Sequence, residues 1–276
     1  YVGDALAVAA LGMDKPAFKA LAREHGVATL PELVITQSEW RSDREALLRA
    51  IAAFANDHTS TGALIGKPAA HGSSIGMKIA HTSADWADAV DEALRFGDRA
   101  MLEPYLERAR ELEIAVLERT DGTVQAFGPG EVFPGREFYD YDAKYAPGVS
   151  RTTTSSDLPA ALADEMRAAA VALFSAAQSR GLSRMDFLMA RSGERAGRWY
   201  LSEVNTFPGF TPISLFPALV MSGGLSFADL CVELVAAAAA RPAPRAVVWC
   251  RRSYLWSLQV QEFRHVRELG PQPHAQ

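Results

Sequence analysis

The chain reads as an α+β protein built on antiparallel strands, and three observations predict that class. Helical and strand-like stretches are interspersed along its 276 residues. Two strand-like runs, Leu112–Arg119 and Thr123–Phe127, are separated by Asp121-Gly122, a residue pair suited to a hairpin turn. A second pair, Arg184–Ala190 and Trp199–Val204, flanks a polar loop containing Gly193 and Gly197. Adjacent strands joined by short polar links pair antiparallel, which favours α+β over a doubly wound parallel sheet.

The elements follow in order. From Asp14 to His25 the residues Phe18, Leu21, Ala22 and His25 fall on one helical face, with Asp14 and Pro16 at the start and Gly26 at the end. Strand-like runs at Ala63–Gly66 and Met77–Ala80 come next. An amphipathic helix from Ser83 to Phe96 follows, carrying Trp86, Val90, Ala93 and Leu94 on its inner stripe. After the strand Ala100–Leu106 and the hairpin, Asp157 and Pro159 open a long alanine-rich helix that stops at Gly181. Ser226 and Asp229 have the spacing of a capping box, with Phe227, Leu230, Cys231, Leu234 and Val235 at helical spacing behind it. Beyond Arg241 the prolines Pro242 and Pro244 interrupt the pattern, and an Arg- and Trp-rich stretch without clear period remains.

Composition excludes several functional classes. The formal net charge of -5 argues against a nucleic-acid partner, which favours a basic surface. Two cysteines, Cys231 and Cys250, cannot make a disulfide framework or a four-ligand zinc site. No apolar run approaches the length of a bilayer span, the longest candidate being the alanine-rich Leu234 to Ala240. The start carries no basic-then-apolar leader. These features lead us to expect no membrane partner and a cytoplasmic location. Because the first residue is Tyr1 and not Met, the chain reads as a fragment.

The strongest chemical signal lies in the strand pair near residues 184–205. A strand puts alternate side chains on one face. Arg184 and Asp186 therefore share a face opposite Met185, Phe187 and Met189, and Glu203 shares one with Asn205. If the two strands pair, Asp186, Glu203 and Asn205 converge as oxygen donors of the kind magnesium takes together with water and phosphate; the alternative is the solvated polar face of a hairpin. Pro208-Gly209 follows directly as a turn, able to aim backbone N–H groups, that of Gly209 included, at an anionic centre.

Two loops add to this. Residues 67–76, K-P-A-A-H-G-S-S-I-G, place Lys67 at a strand end before two glycines and the hydroxyls of Ser73 and Ser74. Glycine lets the backbone approach phosphate, and N–H and O–H groups can donate to its oxygens. The composition alone is also that of a flexible surface loop. Residues 138–145, F-Y-D-Y-D-A-K-Y, read either as a rigid loop with Lys144 paired to an aspartate, or as a lid whose aromatics exclude water while Lys144 reaches a phosphoryl group.

Six segments then occur in order: M-D-K at 13–15, K-P-x-x-x-G-S-S-x-G at 67–76, R-E-L-E at 110–113, F-Y-D-Y-x-A-K-Y at 138–145, G-L-S-R-M-D-F at 181–187 and E-V-N-T-F-P-G-F-T at 203–211. Together they resemble the D-alanine–D-alanine ligases over residues 1 to 240. The resemblance implies an ATP-grasp fold in which two α+β subdomains clasp ATP between antiparallel sheets. The implied organisation is a remnant of an N-terminal domain and linker at 1–12, a central subdomain at 13–106, a C-terminal subdomain at 107–240 and an atypical tail at 241–276. The implied reaction joins two D-alanines through a D-alanyl phosphate, for peptidoglycan precursor and cell-wall synthesis, with ATP and magnesium, or manganese in its place.

Carried over residue by residue, the resemblance makes Lys15 and Lys67 nucleotide-phosphate lysines, with Ser74 in the same ATP site. Glu103, Tyr105 and Leu106 fall where adenine is held, and Glu111 where ribose hydroxyls are held. Lys144 corresponds to the lid lysine on the γ-phosphate, and Asp186, Glu203 and Asn205 to the magnesium ligands. Arg184 and the Gly209 N–H would stabilise the tetrahedral intermediate. Ser214 and Leu215 would hold the second substrate's carboxylate, and Ser73 and Tyr145 would connect the lid to the glycine-serine loop. A homodimer is implied as well.

Two departures stand out: the family's first substrate domain, with its ammonium-binding glutamate, has no counterpart, and the tail runs on past the last helix. Gly66 also replaces the bulkier residue usual before the lysine, which suggests a local packing change. The alternatives are a non-catalytic Mg-ATP-binding fragment and a related ligase using another amino acid such as D-serine.

Overall fold

The computed structural model describes residues 1–134, 151–211 and 213–241. Residues 138–145, with Lys144 and Tyr145, and the tail beyond Arg241 therefore lie outside the described residues. Two antiparallel sheets carry the fold, as the hairpin signals predict. The first is ordered β1-β4-β2-β3, where β1 is Leu33–Thr36, β2 Leu64–Pro68, β3 Lys78–Ala80 and β4 Arg99–Pro104. The second is ordered β7-β6-β5-β8-β9, where β5 is Arg110–Glu118, β6 Val124–Phe133, β7 Arg151–Thr153, β8 Leu182–Met189 and β9 Trp199–Asn205. Every strand pair within them is antiparallel.

The expected hairpin turn is present: the Gly122 N–H donates to the Arg119 carbonyl at 2.9 Å, and the Arg119 N–H donates to the Thr123 carbonyl at 2.8 Å. Gly122 sits at φ +83°, a left-handed conformation that costs glycine nothing.

The helices α1 (Leu6–Met13), α2 (Lys15–Glu24), α3 (Gln37–Ser42), α4 (Arg44–His58), α5 (Trp86–Leu94), α6 (Ala160–Ala176), α7 (Leu215–Ser222) and α8 (Phe227–Ala240) cover the sheets. Local chemistry explains their starts. Thr36 Oγ1 accepts from the Glu39 N–H at 3.1 Å while Glu39 Oε2 accepts from the Thr36 N–H at 2.9 Å, a reciprocal cap for α3. Asp43 Oδ1 accepts from the Ala46 N–H at 2.8 Å and caps α4. Asp14 caps α2 through the Ala17 N–H at 3.2 Å, and its other oxygen accepts from Arg99 at 2.6 Å, which ties α2 to β4.

Ile35, Trp40, Ile51, Leu64, Trp86, Val90 and Leu102 form the core between the first sheet and its helices. Strand β5 is central in the second sheet and buried on both faces. Leu112, Ile114 and Val116 pack with Phe18, Phe174 and Phe187, whereas Ala115 and Leu117 pack with Phe216, Leu219 and Leu230. Each fully buried aromatic contributes about 1.5–3 kcal/mol relative to leaving it in water.

The structure differs from the sequence reading at element ends. Helix α2 buries Phe18 and Ala22, but His25 is exposed and caps the end. The alanine-rich helix stops at Ala176, and Gln178 at φ 57° begins the exit to β8. Strand β6 runs on to Phe133, well past Phe127.

No single helix among the described residues is long and apolar enough to cross a membrane. The bent pair α7 and α8, 104° apart, passes that test by length and composition only in combination. Phe216, Leu219, Val220, Leu230 and Leu234 use its apolar faces inside the core.

Candidate active site

The two sheets and the Tyr105–Ala109 link between them enclose a cleft of about 960 Å³. From the first sheet Lys67 and Glu103 line it, together with Ser74 from the loop after β2. Tyr105 and Leu106 form part of its wall where the chain crosses to β5. The second sheet adds Glu111, Glu113, Arg184, Asp186 and Glu203, and α2 adds Lys15.

The strand pair brings its polar residues together as the alternation predicts. Arg184 stands opposite Asn205 and Asp186 opposite Glu203, with a register shift directly after Asp186. Arg184 Nε and Nη2 each donate to an Asp186 carboxylate oxygen at 2.7 Å, and Nε lies 3.0 Å from Glu113 Oε2. Asn205 Nδ2 donates to Asp186 Oδ2 at 2.9 Å. Burial opposes the Arg184 charge, but Asp186, Glu113 and Glu203 outweigh it and hold the guanidinium well above its ordinary range. A guanidinium fixed in this way is a preorganised donor for developing negative charge.

Lys15 bridges the two halves of the cleft. Its Nζ lies 3.3 Å from Glu203 Oε2 and donates to the carbonyl of His71 in the loop after β2. In that loop Ser73 and Ser74 both adopt φ 57°. Consecutive left-handed non-glycine residues are strained and are held by their surroundings, a feature concentrated at ligand-binding turns. Lys67 is buried at 3% exposure and pairs with Glu103, itself buried at 2%. Burial pushes the Lys67 ammonium down to about 7, and the nearby Lys19 and Lys15 charges add to that shift.

The family description "D-ala D-ala ligase C-terminus" matches residues 21–236. The chain belongs to the D-alanine–D-alanine ligase family. It is 37% identical over 235 residues to the D-alanine–D-alanine ligase of Heliobacterium modesticaldum, covering 85% of this chain and 61% of that protein. To the Streptomyces coelicolor ligase it is 38% identical over 247 residues, covering 88% of this chain and 60% of that one. Among solved structures, D-alanyl-alanine synthetase A from Vibrio cholerae superposes with a TM-score of 0.72 at 30% identity, over 85% of this chain and 67% of that one. VanG D-Ala:D-Ser ligase from Enterococcus faecalis gives 0.71 at 26% identity, over 85% and 64%. The chain thus spans about three fifths of the length of the curated relatives it matches. The fold is the ATP-grasp arrangement of this ligase family.

Of the residues singled out by the ligase resemblance, Lys15, Lys67, Ser74, Glu103, Tyr105, Leu106, Glu111, Arg184, Asp186 and Glu203 line one cleft. Asn205 joins them through its hydrogen bond to Asp186. Ser73, Gly209, Ser214 and Leu215 do not line it. Gly209 and Ser214 adjoin each other at the approach to α7, where the Ser214 oxygen accepts from the Thr211 N–H at 3.0 Å. Leu215 is 5% exposed, its side chain set in the core beneath.

The sequence reading assigned no role to Glu113 or Lys19. Glu113 shares a strand face with Glu111 and was visible in R-E-L-E. Lys19 follows Lys15 by one helical turn, a spacing that places both on one face. Among the described residues no group of three or more His, Cys, Asp or Glu is placed to hold a metal ion. Asp186, Glu203 and Asn205 are two carboxylates and an amide, the hard oxygen donors that suit magnesium when water and phosphate complete the shell.

Proposed function

We propose that this chain is the ATP-grasp part of a D-alanine–D-alanine ligase, which joins two D-alanines through a D-alanyl phosphate for peptidoglycan precursor synthesis. The observation that carries the reading is the single cleft in which Lys15 and Lys67 face Arg184, Asp186 and Glu203. In the first step a carboxylate oxygen of one D-alanine attacks the γ-phosphorus of ATP, the β–γ P–O bond breaks and ADP leaves. In the second, the free amine of another D-alanine attacks the acyl carbon, the bond to phosphate breaks, and the proton lost by the amine leaves on the inorganic phosphate.

Lys15 and Lys67 offset phosphate charge, while Glu103, Tyr105, Leu106 and Glu111 hold the nucleoside and Ser74 donates from the loop. Asp186, Glu203 and Asn205 would hold magnesium, or manganese, which neutralises the phosphate oxygens. Arg184 and the Gly209 N–H stabilise the oxyanion of the tetrahedral intermediate, a contribution of about 2.7–4 kcal/mol for one such donor. Ser214 and Leu215 receive the second substrate's carboxylate, with Ser73, Lys144 and Tyr145 as the lid and its latch. The subdomains are 13–106 and 107–240, after a linker at 1–12 and before a tail at 241–276. The working form is a cytoplasmic homodimer.

The chain's span of about three fifths of its relatives favours a second reading, a Mg-ATP-binding fragment that does not ligate alone. Phosphate release from Mg-ATP, with D-alanine, D-serine and L-alanine in parallel, separates these readings when run on this chain and on a version extended to the relatives' length. D-alanine-dependent release in the extended version supports the ligase. Release with D-serine paired to D-alanine, and not with D-alanine alone, would reassign the second substrate. ATP binding without release in either version would leave the nucleotide site and remove the D-alanine assignment.

A further inference from the structure

Helix α2 carries Lys15, Lys19 and Arg23 at four-residue spacing, so the three cations form one stripe along it. Each meets a carboxylate from another element. Lys15 meets Glu203 of β9, Lys19 meets Glu103 of β4 and Glu32, and Arg23 meets Glu32 at 2.8 Å. Lys19 is the unusual member. It is 1% exposed, ranks among the largest fully buried side chains, and does not line the cleft.

An ammonium has three donors, and here each has an acceptor: the Leu30 carbonyl at 2.9 Å, Glu32 Oε2 at 3.2 Å and Glu103 Oε1. The other oxygen of Glu103 holds Lys67, which does line the cleft. Glu103 therefore stands between a lysine inside the cleft and a lysine outside it. All four members of the relay are shielded from water, with side chains exposed by 4% at Lys67, 2% at Glu103, 1% at Lys19 and 10% at Glu32. At such burial, charges couple far more strongly than on a surface.

We infer that Lys19 is a positioning residue that sets the cleft's affinity for phosphate-bearing ligands, acting through Glu103 on Lys67. Two cations and two carboxylates make the relay neutral. Lys19 occupies one oxygen of Glu103, so the Lys67 ammonium is only partly neutralised and can face a phosphate. Without Lys19, Glu103 draws on Lys67 alone and the relay carries an extra negative charge beside the ligand. Without the Glu32 charge the opposite holds: Lys19 turns fully to Glu103 and the relay gains a positive charge. The Lys19 charge is also, after burial, the next cause of the lowered Lys67 position, so the two ammonium groups are close enough to feel one another.

This inference rests on the cleft holding ATP. The test measures dissociation constants for ATP and for adenosine by calorimetry on the 276-residue chain. It is run at pH 6, below the value of about 7 to which burial pushes Lys67, so that its ammonium is charged. Lys19→Met is expected to weaken ATP relative to adenosine by about ten-fold, or 1.4 kcal/mol, and Glu32→Gln to strengthen ATP relative to adenosine. General damage to the fold weakens both ligands in both variants and cannot produce opposite signs.

If Lys19→Met fails to fold, Glu32→Gln decides alone. An unchanged or lowered ATP preference there overturns the inference. An unchanged preference in a folded Lys19→Met does the same while leaving the nucleotide site intact. Failure of the unsubstituted chain to bind ATP overturns the site itself and this inference with it.

Discussion

Gly66 precedes Lys67 in β2, and replacing it with alanine tests how tightly the first half of the cleft is assembled. A Cβ built at this position meets the Ala89 carbonyl oxygen at 2.7 Å, its carbonyl carbon at 3.0 Å and its Cβ at 3.1 Å. These are backbone atoms and a methyl of α5, so no side chain can swing aside. Strand β2 is paired on both sides, to β3 and β4, and cannot yield without breaking ladders. Helix α5 must shift instead, loosening Val90, Ala93, Trp86 and Leu94 in the core.

Overpacking of this kind costs about 1–3 kcal/mol. For a unit of this size each kcal/mol lowers Tm by about 2–4 °C. Thermal unfolding of Gly66→Ala followed by circular dichroism should therefore show a loss of about 2–12 °C. ATP affinity of the same variant should stay unchanged, since a shift of α5 leaves Lys67 in place, and a weakened affinity would show that β2 had moved instead. An unchanged Tm would refute the claim that α5 seats directly on the Gly66 backbone.

Further predictions follow from the same geometry. The Glu233 carboxylate is held down at about 2, chiefly by Arg119 and then by the Thr120 hydroxyl and N–H, against an ordinary 4.5. A depressed folded value gives stability that is present above about 4.5 and is lost as pH falls toward 2. Glu233→Gln should cost about 1 kcal/mol after solvent screening; urea titrations at pH 7 and pH 3 should show that difference shrinking in acid, and a difference that grows there would reverse the assignment. Asp186→Asn and Glu203→Gln should raise the magnesium needed for half-maximal phosphate release in the extended version, and an unaltered metal dependence removes them from the ligand set. Lys144→Ala should abolish ligation while ATP binding persists, and parallel loss of both rules out the lid role.

Much of the site was legible because it lies on strands, where alternation fixes the face. Arg184 and Asp186 could be placed on one side of β8, and Glu203 with Asn205 on one side of β9, before any pairing was known. What alternation could not supply was the register shift after Asp186, which decides that Glu203, and not Ser202, stands opposite it. Lys19 escaped because a lysine on a helix is ordinarily solvated; here Leu30, Glu32 and, from a distant part of the chain, Glu103 of β4 meet its ammonium.

Helix α4 is legible in principle, since Asp43 caps it and Ile51 and Ala55 are its buried positions at helical spacing, but the pattern of strands and helices read from the sequence does not include it. Helices α1, LAVAALGM, and α7, LFPALVMS, are apolar nearly all round and carry no amphipathic period to read. The short strands β1 and β7, Leu33–Thr36 and Arg151–Thr153, are too brief to show alternation.

The most direct test of the nucleotide cleft is photolabelling of the chain with 8-azido-ATP, followed by peptide mapping with unlabelled ATP as competitor. The account predicts ATP-protected label confined to the cleft walls, in peptides spanning 65–77, 103–113 or 184–203. Protected label in α4 or on the outer face of α8, or no protected label at all, would contradict it.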